Sequence, residues 1–168
     1  MKLTISMQVT LDGVYQANGG NNDEMDAGFT RGGWATSFGD TEAVAYILET
    51  WRRPDAFLLG RKTYELFASY WGAQTGDNSF GDAISLKPKY LVSNTVTDPT
   101  WQDTTVISGD VAAAIRDLKD RIDLDVAVVG SGSLARWLLE KQLVDEINLI
   151  QFPVVVGEGK RLFPDLGP

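Results

Sequence analysis

Apolar and polar residues alternate along "KLTISMQVTL", residues 2–11, with the two-residue period of a β-strand that buries one face. The turn pair Asp12-Gly13 closes that strand. Residues 17–39 ("ANGGNND", "RGGW") are rich in Gly and Asn and carry no period, which marks a functional or mobile loop. The period then changes to that of a helix in "DTEAVAYILETW". Val44, Ile47, Leu48 and Trp51 recur on one face, Asp40 stands at the N-cap position, and Pro54 ends the segment. "AFLLG" is a short buried strand, and Arg61–Tyr70 is helical again. "WGAQTGDNSFGD" is turn-rich. "KYLVS" and "TTVIS" read as strands, the first ended by Asn94, and Asp110 opens a helix that runs to about Arg121. "LDVAVVGSGSLARWLLEKQ" is strand, glycine turn and helix in succession. "VDEINLIQFPVVV" alternates, with Pro153 dividing it into two strand pieces or a bulged edge. Strands alternating with helices, with no repeat and no linker, predict one α/β domain over residues 1–168. Its sheet should be mostly parallel and flanked by helices on both faces.

Composition narrows the chemistry. The chain of 168 residues has 43% hydrophobic and 23% charged residues, the balance of a globular protein with a buried core. It contains neither cysteine nor histidine. Disulfides, thiolate ligands, the usual general base and the commonest zinc ligand are therefore all absent, so a metal site and a serine–histidine hydrolase are not expected. The same absence of cysteine fits a cytoplasmic protein, and no apolar run is long enough to span a bilayer. A formal net charge of −8 disfavours a general nucleic-acid surface, because phosphate backbones need clustered Lys and Arg. Any anionic ligand has to be held by a few cations and free backbone N–H groups.

Three strand ends could provide such a place. "LLG-RKT", "LVS-NT" and "VVG-SGS" each stop an apolar strand at Gly or Ser and continue in small, polar or basic residues. Ligands of open α/β sheets collect at the carboxyl ends of the strands, where helix N-termini favour anions. Arg61 and Lys62 are then either a solvated turn or a phosphate contact, and Ser93 alone is as well explained as a turn former. Gly130-Ser131-Gly132-Ser133-Leu134-Ala135 matches a dinucleotide fingerprint but sits too late in the chain for a Rossmann domain. The residue about twenty positions on, where an acidic ribose ligand would stand, is Val155. Another dinucleotide fold is required, one with a late glycine turn.

The motifs "MQVTLDG", "LLGRKTYE", "KYLVSNT", "VVGSGSLARWLLEKQLVDEI" and "FPVVVGEGKRLFP", in this order, cover nearly the whole chain. With them the sequence resembles the dihydrofolate reductase-like superfamily, most of all the reductase domain of bacterial riboflavin-biosynthesis enzymes and its stand-alone relatives. The resemblance implies an NADPH-dependent reductase. On it, Gly60, Arg61, Lys62 and Thr63 match the turn at the adenosine side and diphosphate. Ser93 and Asn94 match the turn by the 2′-phosphate, and Gly130, Ser131, Gly132, Ser133 and Leu134 match the loop under the diphosphate and nicotinamide half. Met7, Gln8 and Tyr15 match positions near the nicotinamide ring. It also implies a cis peptide at Gly130–Ser131 and open room above Gly130 and Gly132.

The substrate is not legible in the same way. The carboxylate that holds the pterin in the folate enzymes falls at Val44, so folate is not expected. Asp40, Glu42 and Glu49 are the nearby acids, with Asp40 doubling as a helix cap, and Glu49 is most simply a solvated helix face. Trp34 and Trp71 could wall an aromatic substrate, whereas Trp51 and Trp137 read as core. The expected reaction is hydride transfer to a small heteroaromatic (pterin or pyrimidine-like) or carbonyl substrate, with no catalytic residue assigned. The alternative is a non-catalytic nucleotide-binding protein that keeps the fold. Relatives continue past "GKRLFP" with another strand or two while this sequence ends at Pro168. That leaves a shorter sheet, a truncated chain or an edge completed by a partner chain. Because an exposed edge strand needs cover, a homodimer is expected.

Overall fold

The computed structural model describes residues 1–20, 28–72, 76 and 79–163. The parts of the predicted loop at 21–27 and of the turn-rich segment at 73–75 and 77–78 lie outside them, as do residues 164–168. Six strands form one parallel sheet: β1 (Lys2–Thr10), β2 (Ala56–Gly60), β3 (Lys89–Val92), β4 (Thr104–Ile107), β5 (Asp125–Val129) and β6 (Glu146–Phe152). Their spatial order is β4-β3-β2-β5-β1-β6. The helices are α1 (Thr41–Arg52), α2 (Arg61–Tyr70), α3 (Ser79–Ser85), α4 (Val111–Arg121) and α5 (Gly132–Glu140).

Strand alternation sorts the core into two faces. On one face Leu3, Ile5, Leu58, Val126 and Val128 pack under Ile115 of α4 and Leu134 and Leu138 of α5. On the other, Phe57, Leu59, Leu91, Ala127 and Val129 pack under Tyr64 of α2 and Ile84 of α3, with Trp51 of α1 against them. The central strands β2 and β5 are buried on both faces, which is why they read as unbroken apolar runs. The expected caps form: Asp40 accepts from the Ala43 N–H at 2.8 Å and Asp110 from the Ala113 N–H at 3.0 Å.

Three expectations are corrected. Helix α3 forms inside the segment read as turns. Its last carbonyls are bound from outside by the Lys89 ammonium at the start of β3, which donates to those of Ile84 (3.3 Å) and Ser85 (3.1 Å) and, just past the helix, to that of Lys87 (2.6 Å). Second, Pro153 ends β6 and no second strand piece follows among the described residues. Beyond it the backbone turns to the β1 loop instead, with the Val154 carbonyl accepting from the Leu11 N–H at 2.9 Å. Third, no described peptide bond is cis. Gly130 (φ 58°) and Ser131 (φ 47°) reverse the chain with two successive left-handed residues. Strand β6 is an edge of the sheet, and Ile147 and Leu149 on it remain exposed.

Candidate functional site

Parallel pairing places the ends of β3, β2 and β5 side by side. The three turns singled out from the sequence therefore share one edge. At its centre two of them are tied reciprocally. The Gly60 N–H donates to Ser131 Oγ at 2.9 Å, and the Ser131 N–H donates to Thr63 Oγ1 at 2.9 Å. Neither α2 nor α5 has a side-chain cap: the N-cap of α2 is Gly60, which has no side chain, and the Ser131 hydroxyl before α5 is aimed at the neighbouring turn rather than at its own helix. First-turn N–H groups of both helices thus lack a side-chain acceptor, a setting that suits an anion. A methyl group built on Gly60 would meet nothing closer than 3.7 Å, so the backbone there stands open.

Arg61 and Lys62 are exposed in the first turn of α2. Arg61 is paired with Glu65 one turn on, at 3.5 Å, and both side chains are about half exposed, so the guanidinium can exchange this partner at little cost. Ser93 is buried, and its Oγ accepts from the N–H groups of Thr95 (3.2 Å) and Val96 (3.0 Å). Asn94 is exposed and its Oδ1 accepts from the Gly109 N–H at 3.0 Å, joining the turn after β3 to the loop after β4. In the glycine turn, Ser133 is exposed while Gly132 and Leu134 are buried.

The room expected above the two glycines is already filled. A methyl on Gly130 would lie 2.9 Å from Thr63 Cγ2, and one on Gly132 would lie 2.2 Å from Cζ of Tyr15. The Tyr15 ring thus rests on the first turn of α5. Met7 and Gln8, adjacent on β1, face opposite sides of the sheet. Met7 packs in the core with Leu134, whereas the Gln8 side chain accepts from Asn18 Nδ2 at 2.9 Å. Of the residues matched to the nicotinamide region, Tyr15 is the one that covers Gly132, while Met7 lies in the core cluster that includes Leu134.

The candidate substrate residues fall elsewhere. Asp40 and Glu42 line an open concavity of about 470 Å³ between α1 and the end of β6, together with Phe38, Tyr46, Ile47 and Phe152. Trp34 is buried edge-on against Phe152 (5.4 Å), and its Nε1–H donates to the Gln16 carbonyl at 2.8 Å. Trp71 belongs to an aromatic cluster with Trp51, Tyr70 and Phe80, away from that concavity.

One supporting element was not anticipated beyond its turn geometry. Burial by itself would push the Asp12 carboxyl up, but hydrogen bonds from the Thr10 hydroxyl and the N–H groups of Gly157 and Val156 together outweigh it. They hold Asp12 well below the usual carboxylate range. This carboxylate and Arg161, which donates to the Asp12 carbonyl at 2.9 Å, clamp the segment after β6 beside Tyr15. "LDG" signals only the turn. Apart from Thr10, the partners come from residues 156–161 and leave no mark in the local pattern.

A family model, the RibD C-terminal domain, matches residues 1–168. The uncharacterized protein YyaP of Bacillus subtilis (strain 168) is 28% identical over 172 residues, covering 98% of this chain and 81% of that protein. A proposed riboflavin biosynthesis protein from Shewanella sp. PV-4 superposes with a TM-score of 0.64 at 23% identity, over 100% of this chain and 86% of that one. The riboflavin biosynthesis reductase Rib7 of Saccharomyces cerevisiae superposes with a TM-score of 0.58 at 15% identity, over 99% of this chain and 80% of that one. The fold is that of the riboflavin-biosynthesis reductases, and no described helix is long and apolar enough to cross a membrane. The chain belongs to the RibD C-terminal domain family.

Proposed function

We propose that this protein is an NADPH-dependent reductase that passes a hydride to a small heteroaromatic or carbonyl substrate. The observation that carries the reading is the common edge of Gly60, Ser93 and Gly130, with two helix N-termini free of side-chain caps and Arg61 beside them. These residues fit a dinucleotide. The open backbone at Gly60 lets a diphosphate approach, the first turns of α2 and α5 supply N–H donors, and Arg61 supplies a forked cation for a phosphate monoester. When bound, NADPH supplies the hydride. The chain's part is to hold both reactants in fixed register. A protonated group or water supplies the proton that completes reduction of a C=N or C=O bond.

The test is a pair of titrations with Arg61→Ala. A charge-assisted hydrogen bond contributes roughly 1.5–3 kcal/mol. Arg61 gives up its Glu65 partner to make one, so the lower end applies, and NADPH affinity should fall about tenfold. NADH affinity should change much less, because it lacks the 2′-phosphate. Equal losses for the two cofactors, measured by calorimetry, would refute the phosphate role of Arg61.

A further inference from the structure

The ring of Tyr15 lies against the glycine turn. A methyl on Gly132 would come within 2.2, 2.3 and 2.6 Å of its Cζ, Cε2 and Cε1 atoms, so the hydroxyl-bearing end of the ring covers that glycine. Gly132 is the first residue of α5, whose N-terminus no side chain caps. We propose that Tyr15 is a shutter: its side chain covers Gly132 while the cleft is empty and rotates aside when a dinucleotide enters. The inference rests on the NADPH reading above and adds a moving part to it.

The anchoring of Tyr15 says which part moves. Its N–H donates to the Lys160 carbonyl at 3.0 Å, and Val14 before it bridges to Arg161. Val14 is further tied to Thr10 through both the Thr10 hydroxyl and its backbone, and the Gln16 side chain accepts from the Lys160 N–H at 3.0 Å. The backbone is therefore held on both sides. The ring is not. Among the described residues the Tyr15 hydroxyl makes no hydrogen bond, and the side chain is half-buried, resting on Gly132 and the edge of the core by contact alone. Turning χ1 breaks no polar interaction. It gives up only dispersion contact, which entering ligand atoms replace. A residue pinned at the main chain and unpinned at the side chain is built to swing rather than to line a fixed wall.

A site that must first open binds with an affinity reduced by its open fraction. Removing the ring should therefore tighten binding. Parent, Tyr15→Ala and Tyr15→Phe are titrated with NADPH by calorimetry after circular dichroism confirms that each is folded. Tyr15→Ala should bind about fivefold to tenfold more tightly. Tyr15→Phe should stay within about twofold of the parent, because the lost hydroxyl has no partner. If the alanine variant does not fold, Tyr15→Leu replaces it with the same expectation, since leucine keeps part of the core contact and lacks the ring end over Gly132. Unchanged or weaker binding by the opened variant overturns the shutter and leaves the reductase reading standing. A parent and variants that all fail to bind NADPH overturn both.

Discussion

Replacing Gly132 by alanine adds one methyl group, and nearly its whole effect is set by one neighbour. Gly132 lies in the first turn of α5 outside the left-handed region, so alanine meets no backbone strain there. On helix propensity and unfolded-state entropy, the substitution should stabilise by up to about 1 kcal/mol. The methyl, however, falls 2.2 Å from Tyr15 Cζ. Carbon–carbon contact needs roughly 3.5–4.0 Å, so the ring must retreat by more than an ångström. Overpacking of this kind costs about 1–3 kcal/mol. A ring that can swing aside caps that cost at about 1–1.4 kcal/mol, the fivefold to tenfold penalty above, so Gly132→Ala should leave the parent unchanged or destabilised by up to about 1 kcal/mol. In a Tyr15→Ala background the obstacle is gone, and the same substitution should be neutral or stabilising, for a coupling of about 1 kcal/mol. Urea unfolding of the four proteins, followed by circular dichroism, measures it. Gly130→Ala serves as the contrast: it meets a positive φ of 58° and the Thr63 methyl at 2.9 Å, and should destabilise in either background. Distant, independent sites add within about 0.5 kcal/mol. A Gly132–Tyr15 coupling no larger than that would refute the placement of the ring, and with it the structural basis of the shutter.

Two titrating groups outside the cleft both hold their proton more tightly in the unfolded chain, so each makes stability rise with pH, one in acid and one in base. Asp12 is held below the usual carboxylate range, so its contribution is complete above about pH 4 and is lost as the pH falls through its folded value. The melting temperature of the parent should drop more steeply in acid than that of Asp12→Asn; parallel curves between about pH 2 and 7 would count against the clamp. Lys89 is buried, with its Nζ 4.8 Å above the Trp101 ring, and burial lowers its pKa from 10.5 to about 8. Between those values only the unfolded state holds the proton, so the parent should gain up to about 3 kcal/mol from this group as pH rises. Lys89→Met, less stable because three carbonyls lose their donor, should lack that rise. Urea curves for both proteins near pH 7.5 and pH 10 test it, and an equal change in the two would sink the argument.

Much of this fold was legible without coordinates, because its signals are local. The alternation of β1, the apolar runs of β2 and β5, and the caps at Asp40 and Asp110 depend on residues a few positions apart, and each formed as expected. The order of the glycine, basic and hydroxyl turns was enough to suggest the family. What escaped depended on distant partners. Helix α3 is held at its end by a lysine of the following strand, and the segment after Pro153 exchanges a sheet ladder for bonds to Leu11 and Asp12. The candidate site divides in the same way. Gly60, Arg61 and Ser131 could be named as turn residues, but the reciprocal bonds between their turns exist only because β2 and β5 pair in parallel. The ring of Tyr15 over Gly132 requires the neighbouring pairing of β1 with β5. Periodicity and turn chemistry report which face a residue presents and where the chain reverses. Which reversals meet is decided by strand order, and that is fixed by core packing summed over the whole chain, so it has no local signature.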